Sequence, residues 1–590
     1  MVKGSSAVIA IASIFLAVQY YGVDGEFFVL ESKVIEYAIV GIEVLLGLLI
    51  FYLGIRYKKY LAPLIALVQT PLLVWFELTI GQRIPVTNNL YIDRFSVIMV
   101  LIIGIIGTLI CVYSLGYMKE FHHHQEQEDR RPWFFFLLFV FLSAMFGIVT
   151  SNNLVSMLLF WDITTLCSFF LIGYTKTKEA IHNSFRALVI NLTGGLAFTL
   201  AILALGSFYG TLELNQMLAI GTMGYSVVLP AALLAFAGIT KAAQMPFSSW
   251  LLGVTAAPAP TAALLHSSTM VKAGVFLMVK LAPVMGWNIA GIMTSMIGGV
   301  TFLVASFLAI SQTDAKRVLS YSTVSNLGLI VACGGIGTPG AVWAAIMLLL
   351  FHAIAKSLLF LCVGTAERQI GSGEIQDLDG LFGRMPRIAQ YMAIGISGMF
   401  LAPFGMLLSK WIALKAFVDS GNPILVMVLV FGSAATLYFW TKWLGKIIAI
   451  IANPMDLEET ESGSERLILS FLAAVTAALS VLFPLIATYL IVPYLQAVYQ
   501  MEIAYELSAT NLYLMSLLMA VLVLLFTFSF RKAKKSTEPI CLSDLEQGEE
   551  ALIEWDLAGF FGEKKMDLIG VICCSTIIVL AFLFLLGGAF

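Results

Sequence analysis

Charge is scarce in this chain. Only 12% of its 590 residues are Asp, Glu, Lys or Arg, against 60% hydrophobic. A mean hydropathy of +0.95 lies far outside the range of water-soluble globular domains. The little charge present nearly cancels, 33 basic residues against 36 acidic ones, which argues against a nucleic-acid surface or an acidic partner. The seven cysteines, Cys111, Cys167, Cys333, Cys362, Cys541, Cys573 and Cys574, form no CxxC and no cluster-ligand spacing. The chain is therefore expected to hold no iron-sulfur centre or other cofactor. Neither a GxGxxG nor a Walker loop is present, so energy must come from an ion gradient or from a partner protein. The triplet His122-His123-His124 lacks the spacing of a preformed metal site and runs into Gln125-Glu126-Gln127-Glu128-Asp129, which predicts a solvated loop without metal.

What fills the chain is apolar runs of about 20 residues, the length that crosses about 30 Å of hydrocarbon. They recur from Ser5 to Phe590, giving about sixteen or seventeen candidate spans. The expected fold class is an all-α polytopic membrane protein. Basic clusters at Arg56, Lys58 and Lys59, at Lys176, Lys178 and Arg186, and at Arg531, Lys532, Lys534 and Lys535 mark cytoplasmic ends, and they agree if the N-terminus is inside. The first span, Ser5 to Gly22, has no small-residue cleavage site after it and is read as retained.

Two apolar helices are broken beside a lysine. In Gly238-Ile239-Thr240-Lys241-Ala242-Ala243-Gln244-Met245-Pro246-Phe247 the lysine precedes the break, and in Ala402-Pro403-Phe404-Gly405-Met406-Leu407-Leu408-Ser409-Lys410 it follows. Mirrored order suggests two inverted repeats, each with a broken helix, as in ion transporters. The expected organisation is residues 1–131 as peripheral helices with a short surface hairpin within Gly81 to Arg94, and 132–286 and 287–446 as the two repeats. Residues 447–590 follow as C-terminal helices with a charged loop at Asp456 to Arg466, a short polar surface segment around Leu545 to Trp555 and a final span.

Ionisable groups inside such spans are expensive and mark ion pathways when they face the bundle interior. Asp162, alone in its apolar stretch, is the natural partner of Lys241; the bland alternative is a helix-capping aspartate and a snorkelling lysine. His266 and Lys272 lie six apart with hydroxyls between them, and His352 and Lys356 lie four apart on one helix face. With Lys316 and Lys410 these residues make up the candidate proton relay.

Several blocks together resemble the antiporter-like membrane subunits shared by respiratory complex I, multisubunit cation/proton antiporters and energy-converting hydrogenases. They are Asp93-Arg94-Phe95-Ser96, Tyr113 to Met118, Trp161-Asp162, Lys241 to Pro246, Pro260 to Val271, Asp314 to Thr323, and His352 to Lys356. The resemblance implies a proton path in which Asp162 and Lys241 are the coupled pair, Lys316 or Lys356 the central relay, and Lys410 the terminal group. Relatives usually carry glutamate where this chain has Asp162, and often an acid where it has Gly194-Gly195. Leu348, four positions before His352, stands in a helix that is richer in histidine in relatives. The block Gly398 to Met406 and the segment Phe561 to Lys565 look most like the large membrane subunit of hydrogenase-type complexes. That points to a proton- or sodium/proton-translocating subunit of a redox-driven, energy-converting hydrogenase in a prokaryotic plasma membrane. Nickel-iron and iron-sulfur centres would then lie in partner subunits, which would include other membrane subunits and a peripheral redox module. The alternative is a subunit of a multisubunit secondary cation/proton antiporter without redox partner.

Overall fold

A bilayer interior offers backbone N–H and C=O groups no partner, so apolar runs of this length close their hydrogen bonds within helices. The computed structural model describes residues 1–30, 32–125, 129–223, 226–400, 405–449, 461–500 and 562–587, with scattered positions between 513 and 524. Among them, 15 helical segments are long and apolar enough to cross a membrane. The chain is an all-α, multi-pass membrane protein. The difference from the sequence expectation has two sources: Val228–Lys241 is too short to count by itself, and most of the apolar run 501–530 lies outside the described residues, as does 531–561 with the expected surface segment. Residues 456–460 of the expected charged loop do too, and its remainder is corrected: Ser462 caps a helix that begins at Gly463.

The first helices are α1 (Val2–Tyr20), α2 (Lys33–Arg56), α3 (Leu61–Thr79), α4 (Arg94–Leu101) and α5 (Gly107–Gln125), the last two joined by a π-helical turn at Ile102–Ile106. Next come α6 (Arg131–Thr150), α7 (Leu154–Ile172), α8 (Lys178–Tyr209), α9 (Leu214–Thr222) and α10 (Val228–Lys241). The short α11 (Ser249–Leu252) and α12 (Ala259–Ala263) lead into α13 (Met270–Leu281). The second set is α14 (Ile289–Ile310), α15 (Ala315–Ile336), α16 (Pro339–Ile370), α17 (Leu381–Arg384), α18 (Pro386–Phe400), α19 (Gly405–Asp419) and α20 (Pro423–Ile448). Helices α21 (Gly463–Ile486), α22 (Val492–Tyr499) and α23 (Glu563–Gly587) complete the described chain.

Helix starts are set by side-chain caps that accept an orphan backbone N–H. Asn153 caps α7 and Asp314 caps α15; Thr177 caps α8 and Thr338 caps α16. Helices α8 and α16 end at Gly210 and Gly371, both left-handed, a conformation that glycine adopts at little cost. Asn153 then bridges to Glu213 and Asp314 to Glu374. All four pairs are separated by one constant interval along the chain, a local register between the two sets that sequence identity does not display.

The expected hairpin is corrected. Leu90–Ile92 is a strand, but it pairs antiparallel with Glu26–Phe28, the segment between α1 and α2. Residues Gly81–Arg83 continue from α3 as a 3-10 turn, leaving too little chain for a second local strand. The His122 loop is corrected as well: α5 runs through to Gln125, and His122 Nε2 lies 2.8 Å from the Tyr174 hydroxyl. The side chains of His123 and His124 lie outside the described residues.

The most apolar 18-residue stretches of Ala259–Val284 and Ala315–Ile336 are wholly buried, whereas those of Val2–Tyr20 and Glu563–Gly587 are 17% buried. The core thus sits where the candidate residues cluster. The span Arg94–His122, grouped by sequence with the peripheral helices, is 78% buried, and Tyr113 on it bonds Leu361 O and Thr365 Oγ1 at 3.0 and 2.6 Å. Helices α14 and α15 touch backbone to backbone: a Cβ on Gly298 would stand 2.4 Å from Ala332 N and 2.5 Å from Gly328 O. Gly298→Leu is expected to force these helices apart and destabilise the protein by about 3 kcal/mol or more, read as a lowered melting temperature in detergent; an unchanged melting curve would contradict this packing.

Candidate functional site

Lys241 is the last residue of α10, and the helix stops there because its end is capped by side chains and not continued. Ala243 takes a left-handed φ of 52°, Gln244 N–H reaches back to Ile239 O at 3.0 Å, and Trp250 Nε1 donates to Thr240 O at 3.0 Å. Thr301 Oγ1 accepts from Met245 N–H at 3.1 Å. These bonds replace those lost at the helix end, which is what allows irregular backbone at membrane depth. The second expected break, residues 401–404 between α18 and α19, lies outside the described residues.

Fully buried, Lys241 Nζ donates to Trp161 O at 2.9 Å and Thr165 Oγ1 at 2.7 Å, and stands 4.8 Å from the centre of the Trp161 ring. Asp162 follows Trp161 on α7, yet among the described residues no ion pair joins it to Lys241. Its Oδ2 instead accepts from Gln69 Nε2 of α3 at 2.6 Å. The short carboxylate and the lysine are close enough to feel each other's charge, but the direct contact expected from sequence is replaced by two separate sets of bonds.

The next four candidates meet at the centre. Lys272 Nζ of α13 lies 2.6 Å from His352 Nδ1 of α16, so with the ammonium donating, the imidazole lone pair at Nδ1 accepts. Sequence spacing pairs His352 with Lys356; the fold pairs it across helices. Lys356 turns to α15, donating to Leu319 O and Ser322 Oγ at 2.8 Å each, with its Nζ 5.1 Å from the centre of the Trp440 ring. His266 lies in a second π-helical turn, Leu264–Ser268, its ring 4.5 Å from that of Phe360 and both nitrogens without a hydrogen-bond partner among the described residues. All four side chains are fully buried and within electrostatic reach of one another. Among the described residues no carboxylate forms an ion pair with any of them.

Lys410 stands apart on α19, donating to Thr436 Oγ1 of α20 at 3.0 Å. Lys316 is at the end of a span, 2.5 Å from Glu367 Oε2, with the glutamate side chain 33% exposed. Of the two expected central residues, Lys356 is the one in the buried cluster.

Sequence reasoning passed over Lys280, two turns after Lys272 on α13. Its Nζ lies 2.5 Å from Asp93 Oδ2, within 6 Å of the Tyr91, Phe95, Phe276 and Tyr494 rings, at the wall of a cavity of about 750 Å³. It also passed over Glu43 and Gln69, buried in α2 and α3. Glu43 is a lone carboxylate in mid-span, the same signal that drew attention to Asp162.

With this geometry in place, similarity to known proteins is informative. Residues 151–436 match the family described as "NADH:quinone oxidoreductase/Mrp antiporter, TM", and residues 75–135 match "NADH-Ubiquinone oxidoreductase (complex I), chain 5 N-terminus". The chain belongs to the antiporter-like subunit family of complex I and Mrp. It is 36% identical over 322 residues to a probable K(+)/H(+) antiporter subunit of Rhizobium meliloti (strain 1021), covering 53% of this chain and 31% of that one. It is 31% identical over 381 residues to an Na(+)/H(+) antiporter subunit of Staphylococcus haemolyticus (strain JCSC1435), covering 61% and 46%. This family member therefore spans less than half the length of these curated relatives. Its fold is similar to a chain in the Mrp complex from Dietzia sp. DQ12-45-1b, with TM-score 0.63 and 24% identity, covering 93% of this chain and 62% of that one. It is also similar to a chain of the membrane-bound sulfane sulfur reductase, an archaeal respiratory membrane complex, with TM-score 0.61 and 20% identity, covering 82% and 99%.

Proposed function

We propose that this antiporter-family chain is an ion-translocating subunit of a multisubunit cation/proton antiporter in a prokaryotic plasma membrane, with its N-terminus in the cytoplasm. The observation that carries the reading is the buried cluster of Lys272, His266, His352 and Lys356, four basic groups without an ion-paired carboxylate among the described residues. Several fixed charges there would be costly to bury, so the arrangement favours a mobile positive charge passed among them. Asp162 and Lys241 lie on one flank and Lys410 on the other, in sets of helices whose caps share one register. We read these sets, 132–286 and 287–446, as inverted repeats around the relay. The hydrogenase reading gives way to the antiporter one because the curated relatives are named as K(+)/H(+) and Na(+)/H(+) antiporter subunits. Redox drive keeps one specific support, the likeness in fold to the sulfane sulfur reductase chain over 99% of its length.

Moving one charge against about 150 mV costs about 3.5 kcal/mol, equivalent to a swing of about 2.5 pKa units. Making and breaking a partly desolvated interaction such as that between Asp162 and Lys241 is of this size. The test is a pH gradient across everted vesicles containing the chain with its partner subunits. Added Na+ or K+ is expected to collapse the gradient without a redox substrate, and a response that appears only with an electron donor would return the redox reading.

A further inference from the structure

Beside the relay, where α2 and α3 pack against α7 and α8, three acidic or amide side chains are buried on neighbouring helices, and the proton path does not use them together. Glu43, Gln69 and Asp162 are 3%, 3% and 4% exposed. Each has an oxygen without a hydrogen-bond partner among the described residues: Glu43 Oε1, Gln69 Oε1 and Asp162 Oδ1. One of the two Gln69 amide N–H groups donates to Asp162 Oδ2, and the amide oxygen can only accept. Gly195 of α8 leaves the space that two of these oxygens face. A Cβ there would lie 3.0 Å from Gln69 Oε1 and 3.1 Å from both Asp162 Oδ1 and Gln69 Nε2, the nitrogen that already donates to Asp162. Glu43 is near enough to Asp162 for the two carboxylates to repel. Lys241, the neighbouring cation, has its donors on Trp161 O and Thr165 Oγ1.

A buried carboxyl is protonated, paired or bound to a cation, so a proton and a cation compete for it, and hard cations take carboxylate and amide oxygens as ligands. We propose that Glu43, Gln69 and Asp162 form a binding site for one dehydrated alkali-metal cation, seated against Gly195. With both carboxyls ionised and Lys241 protonated, one monovalent ion balances the group and a divalent one does not. The transport consequence rests on the antiporter reading: a cation on Asp162 loosens the hold of that carboxylate on Lys241, so cation occupancy and proton transfer alternate. Binding itself does not depend on that reading.

Equilibrium binding of ²²Na+ and of ⁸⁶Rb+, standing for potassium, to the detergent-purified complex tests the site. One saturable site per chain for either ion is expected, and the ion that binds identifies the cargo chemistry. Glu43→Gln, isosteric and uncharged, and Gly195→Ala, which fills the space and leaves both carboxylates, should each weaken binding by about tenfold or more. Should the first variant fail to fold, the second decides. Binding of neither ion, or unchanged affinity in the folded variants, overturns the site. Intact binding without cation-driven proton movement would instead count against the antiporter reading.

Discussion

Lys241→Met is expected to abolish cation-driven proton movement in vesicles while leaving the protein folded. Methionine is unbranched and adaptable enough to fill the channel of the lysine stem. The Trp161 carbonyl does not become an orphan, because it also accepts from Thr164 Oγ1 at 2.7 Å and Thr165 Oγ1 at 3.0 Å. The structural cost is thus about one net hydrogen bond, about 1 kcal/mol. The functional cost is the whole mobile charge next to Asp162. Groups that carry protons commonly contribute about 10²- to 10⁴-fold to rate, so the variant should retain about a hundredth of wild-type transport or less. Fluorescence quenching by the vesicle pH gradient reads the first expectation, and elution profile with melting temperature reads the second. Wild-type transport in a folded variant would remove Lys241 from the path.

Which parts of this arrangement were visible in the sequence follows from what kind of signal each part leaves. Hydropathy reports spans, because length and apolar content are local, and a lone charge in a span stands out by itself; Asp162, Lys241 and Lys410 were readable this way. Glu43 leaves the same signal, but its meaning comes from Gln69 and Gly195 on other helices, and no spacing rule connects α2, α3 and α8. The Lys272 to His352 contact is hidden for the same reason, whereas the four-residue spacing of His352 and Lys356 is local and suggested a pairing that α13 pre-empts. The π-helical turn at His266 leaves no proline or glycine to announce it. The strand at Leu90–Ile92 was legible from its composition, and its partner was not, since Glu26–Phe28 is brought alongside only by the packing of α1 and α4. Repeat register survives in caps and glycine stops because those positions answer to backbone geometry, while lipid-facing and packing residues between them are free to diverge.

The largest effect on stability is expected from Arg368→Met. The Arg368 side chain is 9% exposed and pairs with Glu465, which is 0% exposed, through Nη1 at 2.9 Å and Nη2 at 3.1 Å. Its Nε lies 3.0 Å from Glu120 Oε2, and its guanidinium sits 5.3 Å from the centre of the Tyr117 ring. One side chain of α16 thereby ties α5 and α21 to the core. Glu465 is committed elsewhere too, accepting from Ser462 N–H at 3.0 Å to complete the capping box of α21, so it cannot swing to water when its partner is removed. Breaking a buried pair from one side costs about 3–5 kcal/mol, which should lower the melting temperature of a chain of this size by about 2–4 °C. Adding Glu465→Gln to this variant should recover part of the loss, because the amide keeps the cap without the buried charge. If the single variant melts like wild type, the tie between α16 and α21 is not what holds the tail helices. If the double variant is no better than the single one, the loss comes from packing around Arg368, and the stranded carboxylate is not its cause.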